Sequence, residues 1–485
     1  MKSALHIVKH SGDSATRASD RTPASTHGKD GDSFLTVELR MAEGKALREK
    51  APRSSQGNWV APLKRADPIQ VLMHLDRDKL PDLLPIRYAR MRESPFGFFR
   101  GAAGIMAADL AGTTVTGIRV QGCGDCHVAN FGGFGSPERE LIFDITDFDE
   151  TLPAPWEWDV KRLTTSIVLA ARDSGLSEQH SVGTAQAAVA AYCGHMRRYA
   201  QMQALKVWYS HLDAQRLVHE AADETARERW KSVIKKAKKK TPSHDFPKMA
   251  TSEGRSSRFS PRIVDDPPHI FHARTKRVGE HAREMFEHYR ATLPDERRVV
   301  LDRYQIVDVA RMAVGIGSVG TRCAVVLLMA GPDDALFLQF KQAEASVFET
   351  YAGKSRYSNH GERVVTGQRM LQSGSDIFLG WTRDGEGRDY YFRQLHDMKM
   401  SVDVEEMSKQ DQFEYAELCG WALARAHART GDPARIAGYI GKNDAFSGAI
   451  AKFAAAYADQ TERDHAELVK AIRAGKLVAN AKGAI

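Results

Sequence analysis

The chain has 485 residues, 42% of them hydrophobic, with a formal net charge of +7 and five cysteines. That length and apolar content suit a large buried core in two or more lobes and exclude a disulfide framework or a largely disordered chain. No apolar run approaches the ~20 residues of a spanning helix, so no membrane partner is expected. Scattered cysteines and an N-terminus lacking an apolar signal core lead us to expect a cytoplasmic protein.

Residues 1–34 are rich in Ser, Thr, Asp, Gly and Lys and nearly lack apolar periodicity, which cannot offset the entropy of ordering. A disordered or poorly ordered tail is expected over 1–60. From Pro68 the spacing of Leu72, Leu75, Leu80, Leu83 and Leu84 predicts a helix, and Phe98 to Leu110 another. Strand, loop and strand follow over 115–149, then long helices over 159–203 and 212–240. The second ends in Lys235, Lys236, Lys238, Lys239 and Lys240, cations that complement the helix dipole and have no interleaved aromatics, so nucleic acid is not the expected partner. Residues 61–240 are read as a helical lobe, the Pro/Ser/Gly-rich 241–270 as a linker, and 271–400 as a β-rich lobe opened by a helix near 276–292. Helices over 401–485 are expected to pack back on the helical lobe.

Two segments hold the polar groups that phosphoryl transfer needs, GDCHVANFGGFG (124–135) and ELIFDITDFDET (140–151). Asp125 and Asn130 stand five apart, so one short loop can aim a carboxylate at an acceptor and an amide oxygen at a metal. Asp147 adds a hard anionic ligand of the kind magnesium prefers. His127 either touches a phosphate or steadies the loop. The plain alternative is a strand-turn-strand with solvated acids. A sharper one is that Cys123, Cys126 and His127 spell C-x-x-C-H, a haem-attachment motif.

Further on, Gly315, Gly317, Ser318 and Gly320 form a GxGxxG. A dinucleotide-binding reading requires a helix straight after it, but the strand-like CAVVLLM follows, which favours a glycine loop closing over phosphates between antiparallel strands. Lys341 ends the next strand, LFLQFK, on the face of Phe337 and Gln339. Glu344 and Glu349 can each pair with it, and Glu349 is preferred. The alternative for Lys341 is a solubilising charge on an edge strand.

RMRESPFGFFRGAAGIMAADLA, GDCHVANFG, FDITDFDET, PWEWDVKRL, YYFRQLHDMKMS and ARAHARTGD together resemble the bacterial family designated domain of unknown function 2252, over about four-fifths of the chain. Within it, GDxHxxN followed by DFDE is similar to the catalytic and metal loops of aminoglycoside phosphotransferases and choline-kinase-like enzymes. The resemblance implies that Asp125, His127 and Asn130 are catalytic and that Asn130 and Asp147 bind metal. Asp144 and Asp149 are alternatives to Asp147. It implies ATP and Mg²⁺ as cofactors. Cys123 stands where those enzymes carry the His of HGD, which puts the support of the loop in question. Because the glycine loop follows the catalytic loop in the chain, the expected fold is α+β, a circularly permuted, protein-kinase-like two-lobe fold with extra helices. The expected function is an ATP/Mg-dependent phosphotransferase acting on an unknown hydroxyl or amine acceptor. A nucleotide-binding regulator without turnover and a basic helical binding module are the alternatives.

Overall fold

In the computed structural model two antiparallel strand pairs frame the acidic segments. β1 (Arg119–Gly122) pairs with β4 (Leu152–Pro155), and β2 (Phe131–Gly135) pairs with β3 (Leu141–Ile145). The loops at 123–130 and 146–151 therefore leave the ends of these pairs side by side, and the Thr146 amide donates to the Asn130 carbonyl at 2.8 Å. The structure describes residues 35–481 apart from 220–223, 241, 253–260, 273–276, 314, 318, 396–397, 399, 401–403 and 406.

β5 (Ala250–Ser252) and β6 (Pro261–Ile263) make a small hairpin-like pair. The larger sheet is built from β7 (Ile270–Phe271), β8 (Gln305–Met312), β9 (Cys323–Gly331), β10 (Asp334–Ala343), β11 (Gly380–Arg383) and β12 (Asp389–Gln394). Its order is β11-β12-β10-β9-β8-β7, and every pairing is antiparallel. The glycine segment thus joins two neighbouring strands, β8 and β9, and the His360–Leu371 helix lies between β10 and β11 in the chain. Alternation sets the two faces. Leu336, Leu338 and Phe340 pack with Met285, Phe286 and Tyr289 of the Arg277–Ala291 helix. Phe337 faces the other side with Val325, Leu327 and Met312. Lys341, opposite both Cys323 and Tyr391, ends that second face.

The other main layer is helical. The Trp156–Asp173, Glu178–Ala200 and Lys409–Thr430 helices share the largest core with Ala445–Arg473, and Trp156 stacks on Tyr192 at 5.8 Å. The Glu178–Ala200 and Lys409–Thr430 helices cross closely at Gly420, where an added Cβ would fall 2.1 Å from the Ala188 carbonyl oxygen. Only glycine permits that approach.

An α+β protein is what the pattern predicts, and that is what folds. Boundaries differ. The expected tail at 1–34 lies outside the described residues, but Val37–Ala46 is a helix against Pro433–Ile440, where an added Cβ on Gly44 would strike the Arg435 carbonyl. The tail expectation is therefore wrong for 37–60. The expected linker at 241–270 contains the Pro242–Met249 helix and three short strands. The helix expected over 159–203 breaks between Asp173 and Glu178, where Gly175 takes φ +72°. Val37–Ile485 pack as one compact unit.

Candidate active site

The acidic loops are held together from behind. The Cys123 and Gly124 amides donate to the two oxygens of Asp159 at 2.6 and 3.0 Å. His427 Nε2 lies 3.2 Å from Asp159 Oδ2, and its Nδ1 lies 2.9 Å from the Tyr192 hydroxyl. A buried Tyr–His–Asp chain thus orients the loop whose own histidine is replaced by Cys123. The Cys123 thiol donates to the Asp147 carbonyl at 3.5 Å, which ties the 123–130 loop to the 146–151 loop. Gly124 has φ +88°, and an added Cβ there would lie 2.2 Å from the Glu150 carbonyl oxygen. A side chain would force the loops apart. Cys123 and Cys126 are 1% and 0% exposed in the core. They present no surface to a porphyrin, so the haem reading is overturned.

Asp125 sits at the floor of the site with its side chain 18% exposed. Arg162 Nε donates to Asp125 Oδ1 at 2.6 Å, while Asp125 Oδ2 faces His127 Nε2 at 3.8 Å. Burial pushes the Asp125 carboxyl above its usual range against the pull of Arg162. Burial likewise holds the His127 imidazole well below its ordinary value, reinforced by Arg100 and Arg162, so His127 is neutral at pH 7. The Asn130 side-chain amide donates to the Asp125 carbonyl at 2.9 Å, which sets its orientation within the loop.

The glycine segment and β10 reach these groups. A Cβ on Gly317 would lie 3.8 Å from Asp125 Oδ2. The backbone there is anchored by Arg87, whose Nη1 donates to the Ile316 and Gly317 carbonyls at 2.6 and 2.9 Å. Lys341 Nζ makes a short ion pair with Asp149 Oδ2, and the Tyr391 hydroxyl donates to Asp149 Oδ1 at 2.8 Å. Although burial opposes ionisation, Lys341, Tyr391 and Arg393 hold Asp149 below the ordinary carboxylate value. Asp147 behaves oppositely. Burial and the Asp149 charge push it up despite Lys341 and Arg393.

Sequence reading and geometry differ at several residues. The carboxylate that meets Lys341 is Asp149, whereas Glu349 lies 3.7 Å from His360 Nδ1 and Glu344 lies 3.9 Å from Lys79. Asp144 is fully buried, with its oxygens taken by Arg425 at 2.5 Å and by the Ser373 amide and hydroxyl. It is spent inside the core, and we correct its assignment as a metal ligand. Ser318 lies outside the described residues, while Gly315 and Gly320 bound the glycine turn with φ +59° and +100°. Arg363, from the His360–Leu371 helix, was not read as a site residue. It donates to the carbonyls of Thr151, Asp149 and Glu344 at 2.7 to 2.8 Å and locks the acidic loop to the end of β10. Among the described residues no group of three or more His, Cys, Asp or Glu side chains is arranged to hold a metal ion.

Glu150 provides a test of this electrostatic description. Its Oε2 accepts the Val347 amide at 2.7 Å, yet burial raises its pKa to about 7, with Arg363 opposing and Asp149 and Asp125 adding to the rise. The folded value exceeds the ordinary glutamate value of 4.5, so this group's stability contribution is present below pH 4.5 and lost as pH rises through about 7. Glu150→Gln should therefore gain thermal stability relative to wild type between pH 5 and pH 8. A difference in unfolding midpoint that stays constant over that range contradicts the assignment.

No curated protein and no solved structure matches this chain. The profile of one family, described as "Uncharacterized protein conserved in bacteria (DUF2252)", matches residues 77–471, a span that takes in the acidic loops, the glycine segment and Lys341. No helix among the described residues is long and apolar enough to cross a membrane. The match covers most of the chain, and the protein belongs to this bacterial family.

Proposed function

We propose that this protein is an ATP- and magnesium-dependent phosphotransferase with a permuted kinase-like arrangement, acting on a hydroxyl or amine acceptor. The observation that carries the reading is the meeting of two motif sets far apart in the chain. Lys341 touches Asp149, and Gly317 lies against Asp125. The strand, glycine turn, strand and lysine-bearing strand in sequence are the parts that cover and orient phosphates in kinases. Asp125 positions the acceptor and takes its proton as the acceptor oxygen or nitrogen attacks the terminal phosphorus; the bond to the β-phosphate oxygen breaks and ADP leaves. Lys341 and the glycine backbone hold the phosphates. Asp147 and Asn130 fit magnesium, because Asp147 is a half-buried carboxylate beside the Asp149 carboxylate and Asn130 has its amide group, but not its oxygen, committed to the loop. Magnesium bound there neutralises phosphate charge.

A second reading, a nucleotide-binding regulator without turnover, draws on the Asp125–Arg162 ion pair. A buried carboxylate held by a guanidinium is a weaker base than the same carboxylate left unpaired.

Mg·ATP should raise the unfolding midpoint, and chelating the metal should remove the gain. At a ligand concentration one hundred times Kd the stabilisation is about 2.7 kcal/mol. A protein that shows neither a midpoint shift nor a calorimetric heat with ATP, in magnesium or in manganese, is not a nucleotide-dependent enzyme.

A further inference from the structure

Lys79 is a buried cation at this site that neither motif set explains. It follows the Pro68–Leu75 helix in a turn closed by its own amide donating to the Asp76 carbonyl at 3.2 Å. The next residue, Leu80, donates its amide to the Gly320 carbonyl at 2.7 Å, so this turn is bonded to the last glycine of the glycine segment. The Lys79 stem runs along that glycine: a Cβ on Gly320 would meet Lys79 Cβ and Cδ at 3.0 Å. Only 9% of the side chain is exposed, and the ammonium makes no hydrogen bond among the described residues. Its nearest carboxylate is Glu344 at 3.9 Å, itself 35% exposed and three residues beyond Lys341.

The other charges nearby are committed elsewhere. Asp76 pairs with Arg87 at 3.2 Å, and Glu150 accepts the Val347 amide. Arg87 repels Lys79 and adds to the burial that lowers its pKa, and Glu344, Asp76 and Glu150 do not make up the difference. A long pair with a partly exposed glutamate contributes little, less than the cost of burying an ammonium. A cation kept at such a cost, with its stem along Gly320 and its head toward Glu344, awaits an anion.

We propose that Lys79 is a phosphate-binding residue of the nucleotide site, delivered from a segment outside both the glycine turn and β10. The inference rests on the nucleotide reading above. The test uses the full chain, Mg·ATP titrations on wild type, Lys79→Gln and Lys79→Arg, and thermal unfolding of each without ligand. Lys79→Gln should weaken Mg·ATP binding about ten- to a hundred-fold, the range for losing a hydrogen bond to a charged group. Its ligand-free midpoint should equal or exceed that of wild type, and Lys79→Arg should recover most of the affinity. The proposal is overturned if Lys79→Gln binds Mg·ATP within about threefold of wild type. It is also overturned if the lost affinity comes with a lowered ligand-free midpoint and Lys79→Arg restores neither. A wild type that does not bind Mg·ATP removes the nucleotide reading and this proposal together, an outcome distinct from the other two.

Discussion

Asp125→Asn should abolish most turnover and leave nucleotide affinity nearly intact, whereas Asp147→Asn should weaken Mg·ATP binding itself. The two residues lie in adjoining loops, but their surroundings assign them different work. Asp125 is fixed by Arg162 and lies beside the Gly317 backbone, where the proposed mechanism has it receive the acceptor proton. A positioned base of this kind contributes about 10²–10⁴-fold to rate. The substitution keeps the side-chain shape and one acceptor for Arg162, so the loop should remain folded. Asp147, pushed up by burial and by Asp149, gains most from a cation, and its loss falls on metal-nucleotide affinity. ATP consumption with a panel of alcohols and amines, paired with titrations on both variants, separates the two effects. Unchanged activity in Asp125→Asn removes this carboxylate from catalysis. A wild type that binds Mg·ATP and never consumes it supports the regulator.

What could be read from sequence was local. Asp125, Asn130, Asp147, the glycine run and Lys341 each stand in a short pattern whose spacing carries the chemistry, and the alternation of LFLQFK placed Lys341 on the correct face. Partners were not legible, because the fold chooses them over long separations. Asp149 meets a lysine 192 positions away, and Asp159, which holds the Cys123–Gly124 turn, is steadied by a histidine 268 positions away. Glu349 was preferred for Lys341 on the expectation of a helix that would aim it back at the strand. The helix there spans only Glu349–Ala352, and the carboxylate turns to His360. The turn at Cys123 and Gly124 is supported through Asp159 by His427, which lies in ARAHARTGD. That segment was visible as an amphipathic helix, but nothing in its local pattern says which loop it supports. Asp144 went wrong for a related reason. It is a strand residue in LIFDI, whose five positions are all buried, whereas Asp147 lies past the strand end and is partly exposed.

The buried Asp144–Arg425 pair predicts the largest effect on stability. Both side chains are 0% exposed. Arg425 reaches from the Lys409–Thr430 helix to Asp144 Oδ1 and to the Leu371 carbonyl, at 2.5 and 2.8 Å. Asp144 in turn accepts the Ser373 amide and hydroxyl and its neighbour's amide at Ile145. One ion pair thus joins β3, the long helix and the end of His360–Leu371, directly behind the acidic loop. Arg425→Met leaves a carboxylate buried without its counter-charge, a change that costs about 3–5 kcal/mol. Asp144→Asn strands the guanidinium in the same way. Adding Asp144→Asn to Arg425→Met removes both charges and keeps the amide acceptor for Ser373, so the double variant should be more stable than Arg425→Met alone. The two substitutions should be strongly non-additive in denaturant unfolding. Additive losses would mean that the pair contributes nothing beyond packing, and that Asp144 is spared a metal ligand's role for some reason other than its bond to Arg425.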